Sequence, residues 1–137
     1  MLTTYAHIDL SSLGHNLSQV KQRLSGSCGI LAIVKANAYG HGAVETAQAL
    51  VKYGVLRLAV VSVKEGLTLR EAGIMAEIVV LGTVSEDHIP DVLAHRLTPV
   101  ISDSRIVPAL ARAAAEKNLS LPFHLKVDTG MSRLGLL

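Results

Sequence analysis

Short aliphatic runs recur along the chain, and each is followed by an amphipathic stretch. Residues 30–34 (ILAIV), 56–62 (LRLAVVS), 77–81 (EIVVL), 97–101 (LTPVI) and 121–127 (LPFHLKV) read as strands. Runs this short and this apolar suit parallel strands buried on both faces. Between them, residues 42–53, 63–72 and 85–95 read as helices, and a fourth, capped by Ser102 or Asp103, runs to about Lys117. The first helix ends near Tyr53 and the second is stopped by Gly73. In the third, Ser85 is the expected N-cap, with Glu86 and Asp87 in the first turn, where the helix dipole favours acids. Pro90 falls inside a helical pattern and predicts a kink or a delayed start, and Pro108, likewise inside one, marks against a straight helix. Ahead of all this, residues 8–24 predict a short strand and then a helix capped by Ser11.

Strict alternation of strand and helix with short connections implies right-handed parallel crossovers. No glycine-rich phosphate fingerprint follows the first strand, which argues against a dinucleotide-binding fold. Five β/α units with chemical groups at strand ends suit a (β/α)8 TIM-type barrel, of which the chain covers about the first five units. The expectation is therefore that residues 1–137 form the N-terminal part of such a barrel, the remaining units lying outside them.

Composition narrows the function class. Half of the residues are apolar but only 3% are aromatic, and no run approaches the roughly 18 residues of a membrane span. Thirteen basic against eleven acidic residues leave a formal charge of +2, and no basic cluster is interleaved with aromatics. Nucleic acid is therefore not an expected partner. The N-terminus shows neither a basic leader nor an apolar signal core, and the single cysteine, Cys28, reads as a small filler. A cytoplasmic protein is expected. His7, His15, His88 and His95 lack metal-ligand spacing, so no metal site is expected; surface or capping roles are the default. Glu65 and Arg70 read as a solvated helix face.

The candidate chemistry begins at residues 33–42, I-V-K-A-N-A-Y-G-H-G. An apolar strand runs directly into Lys35, and a loop with two glycines follows. An amine at the mouth of an apolar core loses solvation, which lowers its pKa and frees its lone pair. Such a lysine can condense with an aldehyde. Tyr39 offers a hydroxyl from the same loop, and Gly40 and Gly42 allow a ligand to approach the backbone closely.

This decapeptide closely resembles the pyridoxal-phosphate motif of the alanine racemase family, fold-type-III enzymes with a (β/α)8 barrel. A-H-I-D-L-S-S-L-G-H-N-L (residues 6–17) resembles the family's opening segment. E-G-L-T-L-R-E-A-G-I (65–74) resembles its second barrel helix, and H-L-K-V-D-T-G-M-S-R-L-G (124–135) its fifth strand and the loop beyond. The resemblance implies that Lys35 holds pyridoxal 5'-phosphate and acts as the base on one face of the substrate Cα. It implies that Tyr39 hydrogen-bonds the cofactor phosphate. It further implies that Arg133 contacts the cofactor's phenolic oxygen and the substrate carboxylate, held by Lys126 in carbamylated form. His124, Lys126 and Asp128 alternate and would share one strand face, with Lys126 otherwise paired to Asp128 or another acid. Asn37, His41, Asp128, Thr129 and Gly130 read as loop-shaping residues, and Ser132 stands where the family often has glycine.

The activity implied is two-base interconversion of L- and D-alanine for peptidoglycan precursor supply, by a homodimer with shared sites. The opposite-face tyrosine of that scheme belongs to a C-terminal β domain, and no position here matches its motif, so the chain alone is expected to be inactive. Two alternatives stand beside it. One is another fold-type-III racemase, acting on serine or on several amino acids. The other is a non-catalytic pyridoxal-phosphate carrier with a related barrel, against which Asn37 to Gly42 argue.

Overall fold

The computed structural model of the chain describes residues 4–137. Helix α1 (Leu10–Arg23) precedes the first strand, β1 (Leu31–Ile33). A short helical segment, α2 (Lys35–Tyr39), and helix α3 (Ala43–Lys52) lead to β2 (Arg57–Val60). Helix α4 (Val63–Glu71), strand β3 (Glu77–Val80), helix α5 (Ile89–Ala94) and strand β4 (Thr98–Ile101) follow. Helix α6 (Val107–Glu116) and strand β5 (His124–Leu125) complete the series.

All five strands are parallel, in the order β1-β2-β3-β4-β5. Register sorts the side chains onto two faces. On the helix side, Leu58, Val60, Ile78 and Val80 pack with Leu50, Leu69, Val92 and Leu97. Leu58, Leu69 and Ile78 are wholly buried, and each contributes about 1.5–3 kcal/mol by leaving water. A second cluster joins α5, β4 and α6 through Ile89, Leu93, Ile101 and Leu110. On the opposite, inner face, Ala59, Val79 and Val100 form a smaller group. A twisted parallel sheet with helices on its outer face and small residues inside is the opening of a (β/α)8 barrel, and these are its first five units.

Both prolines resolve as delayed starts. Ser85 caps a 3₁₀ turn (Glu86–His88), His88 Nδ1 closing the box by accepting the Ser85 amide at 3.4 Å, and Pro90 falls in the first turn of α5. Pro108 likewise opens α6 after the 3₁₀ turn Ser104–Ile106, which Asp103 caps. Proline is tolerated there because those amides have no helical partner.

Four expectations are corrected. Asp9, not Ser11, caps α1: its carboxylate accepts the Ser11 and Ser12 amides at 2.8 and 3.3 Å, and both hydroxyls donate to it as well. A carboxylate at the helix start collects more donors than a hydroxyl can. Residue 8 forms no strand, since the sheet begins at β1. Strand β5 is two residues long where seven were expected, because it lies at the sheet edge with one neighbour to pair with. Glu65 and Arg70 are partly buried and fully engaged rather than a solvated face. Arg70 donates to the carbonyls of Ile74, Ala76, His95 and Arg96, tying the end of α4 to the turns before β3 and β4.

Candidate active site at the strand C-terminal rim

Because every strand runs the same way, every loop that leaves a strand C-terminus opens on one rim. Strand β1 ends at Ile33, and Val34 is buried and donates its amide to the Ala59 carbonyl at 2.8 Å. Lys35 is the first side chain beyond that anchor. The backbone then turns left-handed, with φ of 51°, 54°, 52° and 54° at Ala36, Asn37, Ala38 and Tyr39. Each such residue costs roughly 1–2 kcal/mol relative to the right-handed form, so the turn exists only because its surroundings impose it.

Those surroundings are a set of backbone and side-chain hydrogen bonds. Ala38 is buried in the core and donates to the Val34 carbonyl at 3.0 Å. The Gly40 and Gly42 amides donate to Asn37 O, each at 3.0 Å, and both glycines hold positive φ themselves. Asn37 Oδ1 accepts the Ala43 amide at 2.8 Å and so satisfies the start of α3. His41 Nδ1 donates to Ala38 O at 2.9 Å. Asn37 and His41 thus shape the turn, in line with their reading as loop residues. Opposite them, the Glu65 carboxylate accepts the amides of Ala36 at 2.7 Å and Val61 at 2.8 Å.

The turn brings Lys35 and Tyr39 together: Lys35 Nζ lies 6.0 Å from the centre of the Tyr39 ring. Tyr39 is 61% exposed and Lys35 is half-buried. The expected enclosure of the amine in an apolar mouth is thus only partial among the described residues, since β1 is an edge strand.

At the other edge, Lys126 continues β5, its amide donating to Ile101 O at 2.9 Å. The loop beyond is closed by a parallel bridge between Val127 and Leu136, with hydrogen bonds of 2.8 Å from Asp128 N to Leu136 O and from Leu136 N to Lys126 O. Inside it, Asp128 Oδ1 accepts the amides of Gly130 and Ser132 at 2.9 and 3.0 Å. These donors, Ser132 first, hold the Asp128 carboxyl below the ordinary carboxylate range. The alternative reading of Lys126, an ion pair with Asp128 or another acid, is not met among the described residues; Asp128 Oδ1 serves the loop backbone instead. Arg133 rides on this loop, exposed. Ser132 has φ of 56°, which accounts for the suitability of glycine at this place.

The rim therefore brings Lys35 and Tyr39 together beyond β1, while Lys126 and Arg133 both lie beyond β5 with no hydrogen bond joining them among the described residues. The profile of the family described as "Alanine racemase, N-terminal domain" matches residues 8–137. The chain belongs to this family. The alanine racemase of Treponema denticola is 42% identical over 135 residues, which are 98% of this chain and 36% of that protein. The alanine racemase structure from Clostridium difficile 630 superposes with a TM-score of 0.95 at 34% identity, covering all of this chain and 36% of the other. A histidine racemase from Leuconostoc mesenteroides shares the fold as well, with a TM-score of 0.84 at 32% identity over 93% of this chain and 34% of its own length. The chain thus spans about a third of the length of the racemases it matches.

Sequence reasoning on this alanine racemase N-terminal domain missed Glu65. Its one available signal was an acid three residues after Ser62, the pattern of a helix start, which says nothing about a second loop.

Proposed function

We propose that the chain is the N-terminal part of a pyridoxal-phosphate-dependent alanine racemase, interconverting L- and D-alanine as a cytoplasmic homodimer that supplies peptidoglycan precursors. The observation that carries this reading is the strained turn that presents Lys35 and Tyr39 side by side at the C-terminal end of β1, in a chain of this family.

The residues present fit the cofactor. A half-buried primary amine suits attachment of an aldehyde, a phenol four residues on suits a phosphate oxygen, and the open space at Gly40 leaves room beside them. When bound, pyridoxal phosphate supplies an electron sink that makes the Cα proton of an amino acid removable. Lys35 is the attachment point and, once free, the base that takes or returns a proton at Nζ on one face of Cα. Tyr39 donates its hydroxyl to the phosphate. Arg133 offers a planar fork to the substrate carboxylate and to the cofactor's phenolic oxygen. Carbamylation of Lys126 would turn a cation beneath that loop into an anion able to hold Arg133. The remaining barrel units, the C-terminal β domain and the base for the opposite face belong, in this proposal, to the longer enzyme.

Borohydride trapping with pyridoxal phosphate, followed by peptide mapping, tests the assignment. Label concentrated on Lys35 is the expected result. Label scattered over Lys21, Lys52, Lys64 and Lys117 would overturn it. The likeness to a histidine racemase supports a second reading, racemisation of a different amino acid. A panel of amino acids on the longer enzyme separates the two.

A further inference from the structure

Two amides at the rim have no partner in their own element. Ala36 N–H lies at the start of α2, where no earlier turn offers a carbonyl, and Val61 N–H lies one residue past β2. Glu65 answers both, Oε1 accepting from Ala36 at 2.7 Å and Oε2 from Val61 at 2.8 Å. One carboxylate thereby joins the loop after β1 to the loop after β2. The link continues, since the Val61 carbonyl accepts the Gly82 amide at 3.0 Å beyond β3.

The carboxylate is itself fixed. Ser62 Oγ accepts the Glu65 amide at 3.2 Å and caps α4, so Glu65 occupies the first turn, where the helix dipole favours an anion. Next to it, a Cβ at Gly66 would lie 3.1 Å from both Leu97 methyl carbons, so α4 is seated as close to the core as a glycine allows. A rigid helix thus holds a charged acceptor against the residue that follows Lys35, at the first step of a strained left-handed turn.

We propose that Glu65 is a positioning residue for Lys35: it pins the Ala36 amide and so fixes the left-handed turn that sets where the amine points. The inference rests on the reading of Lys35 as the cofactor lysine, and it adds the residue that aims it. Glutamine in its place keeps the size but presents an NH2 group to one of the two amides, so one hydrogen bond is lost.

The test uses the 137-residue chain and its Glu65→Gln variant, with Glu65→Asp as the second variant should the first not fold. Amide exchange is read at Ala36 and Val61, and pyridoxal-phosphate trapping is read at Lys35 relative to Lys52 and Lys117. The expected result is roughly tenfold faster exchange at Ala36 and a roughly tenfold fall in the Lys35 share of label, as for loss of one charged hydrogen bond, with core amides such as Val92 unchanged. Unchanged exchange at Ala36 overturns the proposal. Faster exchange with an unchanged Lys35 share also overturns it, because the clamp would then not aim the amine. Absence of selective label in the unsubstituted chain would instead refute the cofactor reading, and exchange at Ala36 alone then judges the clamp.

Discussion

The carboxylate of Asp128 accepts the amide of Ser132 at 3.0 Å, across the loop that carries Arg133. With the Gly130 amide at 2.9 Å, this makes one side chain the internal brace of the loop. Its folded carboxyl titrates below the ordinary range because those amides favour the anion. The stabilisation is therefore present above the ordinary aspartate pKa of about 3.9 and is lost as pH falls through the lower folded value. Exchange protection at Gly130 and Ser132, corrected for intrinsic rates, is expected to hold from neutral pH to about 4 and to fall below that. Protection already declining near neutrality would assign the brace to another group.

Gly135 closes the same loop with φ of 134°, and a Cβ there would lie 2.6 Å from Asp128 N. Gly135→Ala is expected to break the Val127–Leu136 bridge and to destabilise the loop by roughly 1–3 kcal/mol. Ser132→Gly acts in the other direction, relieving a left-handed serine at a smaller entropic cost, for a net gain of about 0.5–1 kcal/mol. Amide exchange across residues 128–136 measures both.

Arg70 serves four carbonyls in the turns before β3 and β4. A lysine keeps the charge but cannot present the fork, so Arg70→Lys is expected to cost about 2 kcal/mol or more in urea unfolding. A loss below about 0.5 kcal/mol would show that water replaces the guanidinium freely.

Tyr39→Phe keeps the ring beside Lys35 and removes only the hydroxyl. If that hydroxyl holds the cofactor phosphate, the apparent dissociation constant for pyridoxal phosphate rises roughly tenfold while label still goes to Lys35. Titration followed by absorbance of the bound cofactor decides it. Unchanged affinity would remove Tyr39 from the phosphate site.

Much of the architecture was legible because parallel strands buried on both faces are continuous apolar runs, and residues 77–81 and 97–101 show this plainly. Pro90 and Pro108 were legible as interruptions, and their first-turn placement follows from the missing amide. Strand β5 was overread, since Leu121 to Val127 have strand composition but only one neighbouring strand. Glu65 and Arg70 were misread because their partners are backbone groups of distant loops, which leave no mark in side-chain spacing. The positions of Lys35 and Tyr39 were legible as a motif, whereas the handedness of the turn between them was not. Alanine is the strongest former of the right-handed helix, so Ala36 and Ala38 pointed the other way.

That turn, four L-residues wound in the mirror sense, makes chirality itself the source of its tension. D-alanine at positions 36 and 38 would find the same backbone relaxed. A peptide of residues 33–42 cut from the chain keeps the Asn37, Gly40 and His41 contacts but loses the anchors on Ala59 and Glu65. The segment that presents the amine is thus a loaded conformation, held shut by β2 and α4 as well as by its own residues.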